Sequence, residues 1–181
     1  MPEYMLLGYT ERERKNWENS RNIVLYDSAK QLRHFIQEAV KGSSHGKKLY
    51  FGKIPQKLAE RIKLNTGVAV NHFNVTLRAD EILKILRAHG TEATEGPRGQ
   101  RSIKLRDFED IPEIIQNFDN IKLSTKLFEG KSVLLFEKEL HGRTTIVSYV
   151  STRHMDLTIQ TMYSGKERGL SPQPTDENPL S

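Results

Sequence analysis

Not one cysteine occurs among the 181 residues, which removes disulfide frameworks, thiolate metal sites and thiol-dependent catalysis together. Long apolar runs are missing too: nowhere do about 18 apolar residues follow one another, the least that a membrane-spanning helix needs. Met1 to Thr10 has no basic stretch leading into an apolar core, and Glu11 to Arg21 is dense in charge, so no signal peptide is expected. These absences lead us to expect a cytoplasmic protein without a membrane partner. No phosphate-cradling GxxxxGK[ST] loop and no GxSxG elbow is present. His34, His45, His72, His89, His141 and His154 form no HxxxH or HExxH pair, so neither a metal site nor any other cofactor is expected.

Positive charge is what the chain does have. The formal net charge is +5, and residues 47–165 hold 19 Lys/Arg against 14 Asp/Glu, whereas residues 1–46 hold 7 against 6 and residues 166–181 hold 2 against 3. The excess therefore sits in the middle of the chain, and it favours a phosphate-bearing partner such as RNA.

The apolar pattern predicts an α+β protein with helices packed on one face of an antiparallel meander sheet. Asn22 to Tyr26 reads as a strand, and Ser28-x-x-Gln31 as a capping box opening a helix with Leu32, Phe35, Ile36 and Ala39 on one face. Gly42 to Gly46 is the best linker, which divides the chain into an N-terminal segment (1–46), a main domain (47–165) and a mobile tail (166–181). Within the main domain, a strand over Lys48 to Gly52 precedes a helix with Pro55 in its first turn, ended by Gly67. Phe73, Val75 and Leu77 alternate as in a half-buried strand. Ile82, Ile85, Leu86 and His89 then recur at helical spacing up to Gly90. Thr91 to Gly99 reads as a polar loop and Arg101 to Leu105 as a strand, followed by a short helix capped by Asp110. Four strands with short turns complete the domain: Ile121 to Leu127, Ser132 to Glu139, Thr144 to Ser151 and Met155 to Tyr163.

Three features are chemically suggestive. His89 closes an amphipathic helix before a glycine, where an imidazole either titrates near neutrality or simply complements the helix dipole. Lys84, Arg87, Arg98, Arg101, Lys104 and Arg106 make the most basic stretch, opposed only by Glu92 and Glu95. Such guanidinium groups suit phosphate binding, and equally a solvated surface. Thr161 and Tyr163 share one side of the final strand with Ile159, while Thr158, Gln160 and Met162 take the other.

The order of Lys84-Ile85-Leu86-Arg87-Ala88-His89-Gly90, Arg98-Gly99-Gln100-Arg101, Ile111-Pro112-Glu113-Ile114-Ile115 and Leu157 to Tyr163 (LTIQTMY) resembles the phage-associated branch of the barnase/EndoU/colicin/RelE-like (BECR) nucleases. The resemblance covers about two-thirds of the chain. It implies a metal-independent ribonuclease, often a toxin of phage or mobile elements, acting on RNA such as tRNA and checked by an immunity or inhibitor protein. It further implies that His89 is general base or acid, that Arg101 or Lys104 binds phosphate, and that Thr161 and Tyr163 contribute from the last strand. Lys84, Arg87, Arg98 and Gln100 would contact substrate. Where relatives often begin the helical motif with a second histidine, this chain has Lys84, which does not accept a proton while charged. The sequence leaves the second proton-transfer group open among Tyr163, Thr161 and His154. A non-catalytic RNA- or protein-binding module of the same fold is the alternative that Lys84 motivates, and an NAD-dependent ADP-ribosyl transferase toxin is a third reading.

Overall fold

The computed structural model describes residues 3–18, 20 and 22–165, and the expected mobile tail lies outside them. Helix α1 (Glu11–Glu18) was not expected, yet its start is written in the sequence as Thr10-x-x-Glu13. Thr10 Oγ1 accepts from the Glu13 amide at 3.1 Å, and the Glu13 carboxylate accepts from the Thr10 amide at 2.8 Å. Strand β1 (Ile23–Leu25) and helix α2 (Ala29–Val40) stand where the pattern puts them. Ser28 accepts from the Gln31 amide at 3.1 Å, and Gln31 reaches one residue beyond the serine, accepting from the Asp27 amide at 2.7 Å.

Strand β2 (Lys48–Lys53), helix α3 (Gln56–Thr66), strand β3 (Asn74–Arg78) and helix α4 (Ala79–His89) follow. The expected loop over Thr91 to Gly99 contains a short helix, α5 (Glu92–Glu95). The expected strand over Arg101 to Leu105 shrinks to β4 (Gln100–Arg101), because Leu105 already belongs to α6 (Leu105–Glu109). Asp110 precedes α7 (Ile111–Gln116) as expected but makes no side-chain cap bond. Strands β5 (Asn120–Leu123), β6 (Val133–Glu139), β7 (Arg143–Ser151) and β8 (Asp156–Gly165) are the expected meander.

That meander is half of a larger sheet with the order β1-β2-β3-β8-β7-β6-β5, and β4 adds to the far end of β8. Most pairings are antiparallel; β1 with β2 and β3 with β8 are parallel. The apolar faces of α2, α3, α4, α6 and α7 meet Leu49, Val75, Leu77, Leu134, Phe136, Ile146, Leu157, Ile159 and Met162 in one hydrophobic cluster. Gly42 to Gly46 is thus a turn between two elements of one core, not a gap between separate cores.

The reverse face of β2 and β3 is covered as well, by residues 4–17. Leu7 exchanges two backbone bonds with Lys53, both at 2.8 Å, and Tyr9 and Trp17 pack on Tyr50. Gly52 (φ 152°) makes this crossing feasible, since a Cβ there would lie 2.9 Å from the Leu7 carbonyl oxygen. Beneath the crossing, Tyr9 donates to Asn74 Oδ1 at 2.9 Å, Asn74 donates to Asp156 at 3.2 Å, and Lys48 reaches the other Asp156 oxygen at 3.1 Å. Burial holds the Tyr9 hydroxyl well above the usual tyrosine range, so it stays protonated as the donor. β3 is therefore buried on both faces from Asn74 to Leu77, where alternation had suggested a half-buried strand.

Candidate nuclease active site

The site begins with how α4 ends. Gly90 receives the last turn, its amide donating to the Leu86 carbonyl at 2.8 Å, and any Cβ there would fall 2.3 Å from that oxygen. Only glycine closes the helix this tightly, which fixes His89 on the final turn. The Ile103 amide donates to the His89 carbonyl at 2.6 Å, tying the helix end to the segment after β4. α4 packs against β8, and beyond Thr158 β8 has lost β3 as a neighbour. There the His89 ring comes within 5.8 Å of the Tyr163 ring, tilted by 40°.

His89 Nδ1 lies 2.8 Å from Glu95 Oε1, and the Glu95 side chain has no solvent exposure. Arg98 Nη1 donates to Glu95 Oε2 at 3.2 Å and to the Ala88 carbonyl at 3.0 Å, and sits 3.4 Å from His89 Nδ1. Arginine only donates, and a carboxylate only accepts, so the shorter contact decides the tautomer. Nδ1 carries its proton toward Glu95, and Nε2 is left for proton exchange. A buried carboxylate needs compensating charge. Arg98 supplies it permanently, and His89 adds to it whenever the imidazole is protonated. The trio therefore orients the ring, with Nδ1 held at Glu95 and Nε2 left available.

Arg101 is differently employed. Its guanidinium grips Asp107 with both arms, at 2.6 and 2.9 Å, and also donates to the carbonyls of His141 and Ser102. Asp107, 1% exposed, accepts in addition from the Lys104 amide at 2.7 Å and so anchors the start of α6. The guanidinium that was expected to hold phosphate is thus committed to joining β4, α6 and the β6–β7 turn. We expect Asp107→Ala to lower stability by about 3–5 kcal/mol, because it leaves a largely buried guanidinium without its partner. Urea denaturation of the two proteins measures the difference, and an unchanged midpoint would contradict this role for Arg101.

The remaining expected residues divide by position. Arg98 keeps about half its side-chain surface (51%) in solvent, and Arg87 and Lys104 are exposed on either side of His89 in sequence. Lys104 Nζ touches Ser102 Oγ at 3.2 Å. Lys84 pairs with Glu81 at 3.6 Å and is 71% exposed. Five residues along a helix is a rotation of about 140°, so Lys84 does not share the face of His89. Gln100 pairs with Gly165 and has a buried side-chain oxygen without a hydrogen-bond partner among the described residues.

The parity expected for β8 is broken by a bulge. Thr161 pairs with Val147 and Ile159 with Ser148, which leaves Gln160 unpaired. Ile159 and Met162, three apart, both enter the core. Thr161 and Tyr163 stay together on the opposite face, without Ile159. His154 is exposed in the turn before β8, at the other end of the strand from Tyr163, and is too far away to serve as the second proton-transfer group at His89.

Sequence reasoning missed Glu95, which looked like a stray counter-charge; its spacing of three from Arg98 is the only local hint. It also missed Asp107, and it used His141 only as a turn marker. His141 Nε2 lies 3.9 Å from Asp110, whose carboxyl is held above the ordinary range chiefly by burial. Among the described residues no group of three or more His, Cys, Asp or Glu side chains is placed to hold a metal ion.

No curated protein and no solved structure shows significant similarity to this chain. A family model does match, over residues 52–171, and it takes in the whole of the His89, Glu95, Arg98 and Tyr163 arrangement as well as the meander. That span is well over half of the sequence, and the chain belongs to the phage-Barnase-EndoU-ColicinE5/D-RelE like nuclease 3 family (PBECR3).

Proposed function

We propose that this nuclease-family protein is a metal-independent ribonuclease that cleaves RNA by attack of a ribose 2′-hydroxyl on its own phosphorus. The observation that supports this reading most is a histidine with one nitrogen committed to a buried carboxylate, standing beside a tyrosine of the last strand. Such a reaction needs a group to take the 2′-hydroxyl proton, a group to protonate the leaving 5′-oxygen, and cations for the charge that gathers on the phosphorane. Nε2 of His89 takes the first proton and Glu95 steadies the resulting imidazolium. The Tyr163 hydroxyl is the donor to the leaving oxygen. Arg98 and Lys104 supply positive charge, since Arg101, which shared that expected role with Lys104, is committed to Asp107.

RNA rather than DNA is the substrate of this reaction because the attacking 2′-hydroxyl, from which His89 takes the proton, is absent from DNA. The basic balance of residues 47–165 fits a polyanion. Action as a toxin, with a tRNA target and an inhibitor protein as its antagonist, extends the same reading to the biology of phage-associated nucleases.

The test is incubation of the purified protein with total RNA in excess chelator. We expect fragments ending in 2′,3′-cyclic phosphate. RNA left intact, or fragments with 5′-hydroxyl ends absent, counts against the mechanism.

A further inference from the structure

At the end of β8 remote from His89, the α3–β3 connection, the start of β6 and the β7–β8 turn enclose a cleft of about 370 Å³. Val68, Ala69 and Gly130 form its small apolar and backbone walls, and its remaining lining comes from Lys131, Ser132, Val150, Ser151, Thr152 and Arg153. No carboxylate is among the described residues that line it. Arg153 is exposed in the turn and has no partner among the described residues. Lys131 has a long contact of 3.8 Å to Glu129, whose side chain is 71% exposed, and its ammonium lies 5.8 Å from the centre of the Tyr149 ring. The side-chain hydroxyls of Ser132, Ser151 and Thr152 likewise have no hydrogen-bond partner among the described residues.

Two cations and three hydroxyls around a hollow without acidic groups are the donor set that a phosphate takes, charge from Lys and Arg and short bonds from hydroxyls. The same cations would repel a cationic ligand, and an apolar one would leave the cations and hydroxyls without partners. A phosphate group is therefore the ligand chemistry that fits.

We propose that this cleft holds a backbone phosphate of the RNA at a second contact, away from the bond that is cut. The inference rests on the ribonuclease reading for the identity of the strand. From the start of β8 to Tyr163 the distance is about seven residues of strand, or ~23 Å. A single RNA strand crosses such a span in several nucleotides, so the two contacts fall on different phosphates of one strand. The cleft thereby selects for RNA long enough to reach both, and short oligonucleotides engage the His89 end alone.

The experiment measures binding and cleavage of a dinucleotide and of a 20-nucleotide RNA by the full chain and by the K131A/R153A double variant, with K131E/R153E as the stronger form. Both side chains lie at turns outside the core, and a thermal midpoint close to that of the parent confirms folding. We expect the double alanine variant to bind the 20-mer at least ten-fold more weakly, with the salt dependence of log K reduced by about 0.7, the value for one single-strand phosphate contact. Dinucleotide cleavage should be unchanged. Equal affinity and equal salt slope for the parent and both variants would overturn the proposal, even with cleavage intact, so its failure is separable from failure of the ribonuclease reading. Loss of affinity without any cleavage by the parent keeps the cleft and removes the ribonuclease. Inorganic phosphate is the third arm. If it binds at the cleft while the 20-mer affinity stays independent of Lys131 and Arg153, the site belongs to a free phosphate and the RNA assignment falls.

Discussion

Replacement of His89 by asparagine is expected to reduce RNA cleavage by about 10²- to 10⁴-fold, the contribution typical of one positioned proton-transfer group. Asparagine is more informative than alanine here. Its side-chain amide offers an N–H toward Glu95, so the buried carboxylate keeps a second donor beside Arg98, which holds it at 3.2 Å. The fold should therefore survive, with RNA binding little changed, and the loss should fall on the rate. Glu95→Gln is the companion variant. It retains a hydrogen-bonding group, but an amide can present either its oxygen or its N–H to Nδ1 and so holds the ring and its tautomer less firmly, and we expect a smaller loss of rate. Wild-type cleavage by His89→Asn at every pH would eliminate His89 as a participant and with it the mechanism.

Deletion of residues 1–46 should abolish cooperative folding. Glycines and serines at 42–46 make this the natural place to cut, and the family match does not begin until residue 52. Yet the deleted piece carries Leu32, Phe35 and Ile36, all within 4% of complete burial, in the same cluster as Ile82, Ile85 and Leu77. Fully burying a side chain of this kind stabilises by about 1.5–3 kcal/mol, and three of them compare with a typical net stability of about 5–15 kcal/mol. The surfaces they leave on α4 are exposed in return. β2 also becomes an open edge once β1 is gone, an invitation to pair with another chain. On the other face, Asn74 loses the Tyr9 hydroxyl and Tyr50 loses both aromatic neighbours. Thermal unfolding followed by circular dichroism decides the matter: a shortened chain with a sharp transition near that of the full chain would show that the first 46 residues are an appendage.

What could be read from the sequence was local. Ser28 and Gln31 announce α2, Gly90 ends α4, and the glycine turns of the meander set off strands whose period is two, because each of these signals acts within a few residues. Thr10 and Glu13 announce α1 just as clearly, and were passed over amid the charge of that stretch. The remainder depended on contacts across the fold. Glu95 and Asp107 stand within six residues of the His89, Arg98 and Arg101 that hold them, but the turns that fold each carboxylate back into burial are not marked by residue type. The same holds for Arg101, which as a residue type promised phosphate binding and in the fold is occupied elsewhere. Gln160 shows a third limit: a single bulge shifts the inward set of β8 from one parity to the other, and a pattern of alternating residues has no mark for the place where it slips.

The position of β8 in the sheet carries a consequence for timing. It follows every other described strand in the chain, yet it lies between β3 and β7 and is the only link between the two halves. During synthesis, β1 to β3 and β5 to β7 therefore emerge as two unfinished pieces, each with an unmated central edge, and Tyr163 emerges on the strand that seals them. No partly made molecule has Tyr163 beside His89. The meeting of His89 with Tyr163 is thus completed only when β8 has entered between β3 and β7.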